Sequence, residues 1–205
     1  MWLYLIKTQS FFLLLPVWVC VLAIALRDHE SISAYNVLAY VGIVMVPFPA
    51  AGLMHPVGSL HQKELFTSLP LSNRSLGFIQ PFTLAALYGI MYSVTLNIVV
   101  EDGARHLTAA IFTSVMLLFV FTCMFISLLK NSAIGLCLAL IYVIFGMFTT
   151  GTGQGVFYLF QWFRPKPYTD PQAFVVYQII GTIVLGILNY WLVKRRNRLH
   201  WLQLG

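Results

Sequence analysis

Charge is what this chain has least of. Only 9% of its 205 residues are Asp, Glu, Lys or Arg, where a soluble domain carries about 25%, so too few charges exist to cover a water-facing surface. Acids are the scarcest, six against twelve Lys and Arg. In a soluble protein the resulting net charge of +6 would point to nucleic acid. With 60% hydrophobic residues and a mean hydropathy of +0.84, the chain belongs instead to the membrane class, its basic residues act as topology markers, and no nucleic-acid partner is expected.

Chemistry is scarce too. The three cysteines, Cys20, Cys123 and Cys137, sit in apolar runs without a C-x-x-C or any metal-ligand spacing, and read as small buried or lipid-facing residues. His29, His55, His61, His106 and His200 fall between apolar runs with no metal-like spacing either, so no metal is expected. No Walker sequence occurs, which implies no nucleotide-binding domain and leaves any ATP chemistry to another polypeptide. The glycines of "TTGTGQG" (Thr149 to Gly155) have no strand before them and no Lys-Ser/Thr after them. They read as a bend leaving an apolar run. The opening "MWLYLIKTQSFFLLLPVWVC" imitates a secretory signal, but Trp18 and Val19 before Cys20 are too bulky for lipoprotein-type cleavage. A retained helix is expected.

What is present is hydrophobic length. A helix needs about 20 apolar residues to cross a bilayer, and candidate runs lie at Ser10 to Leu26, Tyr35 to Met54, Leu76 to Val100, Leu107 to Leu129, Ser132 to Thr150 and Ala173 to Val193. The expectation is an all-α integral membrane protein with six transmembrane helices, one domain over residues 1–205. None of the six runs contains Asp, Glu, Lys, Arg or His. Ionisable residues inside a membrane persist mainly where they function. Their absence argues against an intramembrane protease, a proton-coupled transporter and a metal-dependent lipid enzyme, so a non-catalytic chain is expected.

Sorting the connecting segments gives orientation. One side takes Lys7, Lys63, Arg74, Lys130, Lys194, Arg195, Arg196 and Arg198 against the single acid Glu64; the other takes Arg27, Arg105, Arg164 and Lys166 with five acids. Cytoplasmic loops collect Lys and Arg. Both termini are therefore expected in the cytoplasm, with "MWLYLI" either lying along the inner interface or extending the first span.

The longest polar segment lies between the second and third runs, "HPVGSLHQKELFTSLPLSNRSLGF". Pro56 and Gly58 close the second span, Ser59 is a candidate N-cap for a short helix to Leu69, and Pro70 ends it. Leu65, Phe66 and Leu69 share one face of that helix, with Lys63 and Glu64 beside them. Ser72 or Asn73 can cap the third span. This order of "KE", a short amphipathic helix, "SLPLS" and a basic residue entering the third span resembles the first cytoplasmic loop of ABC type-2 transporter permeases. Six spans, inside termini and a length near 200 residues agree with the resemblance across the whole chain.

The resemblance implies a bacterial plasma-membrane permease that pairs with a second permease subunit, identical or related. Beneath the pair, a cytoplasmic ATPase carrying ATP and Mg docks on a coupling helix made of Lys63, Glu64, Leu65, Phe66, Leu69 and Pro70. No cofactor is bound by this chain, and the work done is export of an amphiphilic compound such as an antimicrobial peptide or lipid-like substrate. The other reading of the same helix is that it lies on the bilayer. The segment "GVFYLFQWFRPKPYTDPQ" carries Phe157, Tyr158, Phe160, Trp162, Phe163 and Tyr168, either an interfacial aromatic belt or an outer gate of the kind the resemblance implies. Asn97, Thr122, Ser127, Gln178, Thr182 and Asn189 lie inside runs and either line a route or join helices by hydrogen bonds. The tail "KRRNRLHWLQL" suits an anionic leaflet or a stop-transfer anchor. A different function class, a non-transporting scaffold or peptide-immunity protein, remains open at this point.

Overall fold

In lipid the backbone must satisfy its own hydrogen bonds, which restricts spanning structures to helices and closed barrels. This chain takes the helical route. The computed structural model describes residues 2–27, 31–58, 72–100, 105–149 and 171–195, and among them there are helices, short connections and no strand.

Five helical stretches are long and apolar enough to cross a membrane: Gln9–Leu26, Ser33–Val57, Ser75–Val99, Leu107–Leu129 and Val175–Arg195. Between the last two lies a further helix, Ser132–Thr149, whose apolar part Ser132–Phe145 is shorter than the others. In chain order these are the first to sixth spans, and each overlaps the run expected from hydropathy. The chain is thus built as a multi-pass membrane protein. Its outward faces agree: Phe11, Leu14, Trp18 and Leu22 of the first span and Ile180, Ile183, Ile187 and Trp191 of the last are large, apolar and exposed. In water such surfaces would be untenable.

The fourth span is the centre. It packs against the second, third, fifth and sixth, while the first packs on the second and third and the last on the fourth and the start of the third. Burial follows that order. Of the second and fourth spans 67% is buried, against 22% of the first and 28% of the last, so these two helices form the rim.

Local sequence explains the breaks. The first helix, Trp2–Leu26, is interrupted at Gln9, where φ is −124° and ψ is 20°, so the Trp2–Thr8 piece is a separate helical segment ahead of the apolar span. Between the fourth and fifth spans, Lys130 adopts a positive φ of 54° and stops the helix. Asn131 then caps the next one, its Oδ1 accepting from Ala133 N at 3.0 Å and Ile134 N at 3.2 Å. Ser72 plays the same part at the third span by accepting from Ser75 N at 3.1 Å, as the sequence leads one to expect. The second span runs to Gly58 through Pro56, which places its end at the glycine rather than at the proline before it.

Candidate functional site

Helices buried in lipid cannot leave backbone groups unpaired without a cost of several kcal/mol each. Three irregular places in these spans are braced by side chains from another span. Pro16 lies within the first span, where its ring removes a backbone donor and distorts the preceding turn, and the Tyr88 hydroxyl donates to the nearby Leu13 carbonyl at 2.8 Å. The second span widens into a π-helical turn over Val37–Gly42, and Tyr92 OH donates to Gly42 O at 2.8 Å. The third span opens with a second π-helical turn, Ser75–Ile79, whose Gly77 carbonyl accepts from Asn189 Nδ2 at 2.7 Å. Such π-turns occur often at functional sites.

Glycine allows a close helix approach at both π-turns. A Cβ on Gly42 would meet the Tyr92 ring at 2.7 Å, and one on Gly77 would stand 3.0 Å from the Tyr190 Cα and 3.2 Å from the Val193 Cβ. Close approach is what lets the distant side chains reach these carbonyls.

The last span completes a polar seam. Gln178, Thr182 and Asn189 follow one another at helical spacing along its buried face. Gln178 Nε2 donates to Ser114 Oγ at 2.7 Å, and the Thr113 hydroxyl donates to Gln178 Oε1. Farther along, Ser127 Oγ donates to Asn189 Oδ1 at 2.6 Å. Asn189 therefore ties the fourth span to the first turn of the third. Thr182 and Thr122 bond back to their own helices, to Gln178 O and Leu118 O, each at 2.8 Å. Asn97 bonds to Ser93 O at 2.8 Å and to Thr108 Oγ1 at 3.2 Å. Of the two roles open to the polar residues inside the runs, bonding within and between helices is the one observed. Among the described residues one buried side-chain atom stays unmatched: Gln80 gives its Nε2 to Ser75 Oγ at 3.3 Å while its Oε1 has no partner.

Charge is confined to the ends. The described residues include no Asp or Glu, and among them no three His, Cys, Asp or Glu come together. Successive antiparallel spans put Lys7, Arg74, Lys130, Lys194 and Arg195 at one end of the bundle, and Arg27 and Arg105 at the other. The proposed coupling residues Lys63, Glu64, Leu65, Phe66, Leu69 and Pro70 lie outside the described residues, as do Phe157, Tyr158, Phe160, Trp162 and Phe163. Sequence reading missed Tyr88, Tyr92, Gly42, Gly77, Thr113 and Ser114. Only the spacing of Gln178, Thr182 and Asn189 along one helix face was there to signal the seam.

Compared with known proteins, the chain matches no family model, no curated protein and no solved structure.

The seam makes a direct prediction. Asn189→Leu removes the donor to Gly77 O and the acceptor of Ser127 at once, so stability should fall by about 1–2 kcal/mol, between the modest average for bonds inside membranes and the larger cost of an orphaned buried group. Ser127→Ala leaves the Gly77 bond intact and should cost less. Thermal unfolding in detergent ranks the two, and an Asn189→Leu protein as stable as the parent would show that the clasp is not structural.

Proposed function

We propose that this chain is the membrane-spanning permease subunit of a bacterial ABC exporter, with both termini in the cytoplasm and a separate ATPase docked on the loop between the second and third spans. The observation that carries the reading is where that loop leads. Residues 59–71 feed into the third span, whose first turns hold Gly77 in the grip of Asn189. A push on the loop reaches, within about two helical turns, a point where the third, fourth and last spans are joined. Mechanical coupling requires such a junction, and the loop itself requires no chemistry. Leu65, Phe66 and Leu69 supply the apolar knob, with Lys63 and Glu64 setting its orientation.

Orientation rests on charge. Among the described residues five cations mark the end that carries this loop and two mark the other, and the positive-inside rule assigns the richer end to the cytoplasm. In this reading a second permease subunit completes the transporter in the bacterial plasma membrane. Its cargo is an amphiphilic compound, since none of the six apolar runs holds an Asp, Glu, Lys, Arg or His to meet a small charged solute. One observation favours the alternative of a non-transporting scaffold or immunity protein: Gln178, Asn189, Ser127, Thr122 and Thr182 are all bonded within the bundle. A transport route would then run between two copies rather than through one.

Single cysteines test the orientation on which docking depends. Placed at Gly103 and Lys166, they should react with an impermeant reagent added to sealed cells, and one at Ser72 should not. Labelling at Ser72 from outside would put the loop on the wrong side of the membrane for an ATPase.

A further inference from the structure

We infer that the start of the third span and the end of the last form a binding site for the phosphodiester headgroup of an anionic phospholipid, held by Arg74, Lys194 and Arg195. This inference stands on the packing of two helices and does not depend on the transport reading.

The two helices are antiparallel and cross closely. Gly186 faces Phe78 and Phe82, Gly77 faces the Tyr190 backbone, and Asn189 bonds to Gly77 O. On the last span Gly186, Tyr190 and Lys194 follow at intervals of four residues, so Lys194 continues the stripe that faces the third span. Arg74 precedes Gly77 by three residues and Lys194 follows Tyr190 by four. At 1.5 Å per residue both lie about 5 Å beyond the crossing, in the same direction. Arg195 is the next residue outward, and all three side chains are exposed.

Three exposed cations at one level, Arg74 and Lys194 beside the crossing and Arg195 on the outward face of the last span, need counter-charge. No acid occurs among the described residues, and the charge sorting gives this whole end a single acid, Glu64, against eight basic residues. One carboxylate cannot neutralise the cluster. Aromatic rings beneath the cations fix their level: Arg195 lies over the Trp191 ring at 4.5 Å and Lys194 over Tyr190 at 5.9 Å. Trp and Tyr mark the headgroup depth of a bilayer.

Below the rings the surface becomes apolar in the order a phospholipid does. Ile187, Trp191 and Arg195 form one outward column on the last span, with Ile187 at 55% and Trp191 at 41% exposure. On the third span Ile79, 48% exposed, lies about one π-turn below Arg74. Cations at headgroup height above an exposed isoleucine on each helix match a phosphate with its acyl chains beneath. Inorganic phosphate would meet only the cations, whereas a phospholipid seated against the lipid-facing columns meets cations and apolar surface together, so the occupant is the lipid.

The test uses the full-length chain in micelles doped equally with phosphatidylglycerol and phosphatidylcholine, with retained lipid read by native mass spectrometry. Phosphatidylglycerol should be retained preferentially. Binding should weaken about fivefold for each cation neutralised and on the order of a hundredfold in the Arg74→Gln/Lys194→Gln/Arg195→Gln protein. The charge-conserving Arg74→Lys/Lys194→Arg protein should retain the lipid, which separates a lost site from a damaged fold. Arg27→Gln/Arg105→Gln, at the opposite end, should leave retention unchanged. Equal retention by the triple variant, equal loss in the opposite-end control, indifference between the two lipids, or displacement of the lipid by millimolar inorganic phosphate would each overturn the site.

Discussion

Gly135→Ala should cost this bundle about 3 kcal/mol, the upper end of what one extra methyl does in a packed interior. The reason is that the new Cβ has no flexible neighbour to displace. It would stand 2.6 Å from Ile126 Cγ1 and 2.9 Å from both the Cα and the backbone nitrogen of Ile126, so the fourth and fifth spans themselves must part. The hairpin holding them is short, with Lys130 at positive φ and Asn131 capping the next helix, and it leaves little slack. Gly181→Ala is the control. Its Cβ would meet only Leu117 Cδ1 at 3.1 Å, the end of a side chain that can rotate, and alanine in a helix recovers up to about 1 kcal/mol over glycine. Thermal unfolding should show a large loss for Gly135→Ala and little change for Gly181→Ala. Equal behaviour would mean that the fourth and fifth spans do not pack as closely as described.

The second large effect concerns the proposed docking loop. If Phe66 fills a groove in an ATPase, Phe66→Ala removes a central aromatic anchor at a cost of about 2 kcal/mol, and ATPase recovery with this chain should fall roughly thirtyfold. Glu64→Lys should act through charge instead, weakening the complex in a salt-dependent way. Neither residue lies in a span, so insertion should be unchanged. A helix lying on the bilayer predicts the reverse pattern, with looser membrane contact and undiminished ATPase recovery.

The spans were legible because lipid imposes a simple demand. Runs without charge had to be helical, and each apolar run overlaps a helix in the structure. Helix starts were legible where capping is local, as at Ser72, whose side chain reaches a backbone group three residues away. The π-turns were not legible, because their causes are distant. Gly42 depends on Tyr92, and Gly77 on Asn189, 112 residues further on. In sequence these glycines look like any small residue at a helix contact, and Tyr88 and Tyr92 look like packing aromatics. Asn189 was visible as a polar residue inside a run, but which carbonyl it would reach was set by the third span folding back against the last. The proposed docking residues Lys63, Glu64, Leu65, Phe66, Leu69 and Pro70 rest on the loop's own pattern and its resemblance, since they lie outside the described residues.

The most direct measurement of the central claim is purification of the tagged chain from its native membranes in mild detergent, with every co-purifying protein identified. The account predicts a soluble ATPase carrying a Walker motif, recovered in stoichiometric amount with the parent chain and lost with Phe66→Ala. Recovery of the chain with no ATPase, under conditions where the bundle remains folded, would contradict the permease reading.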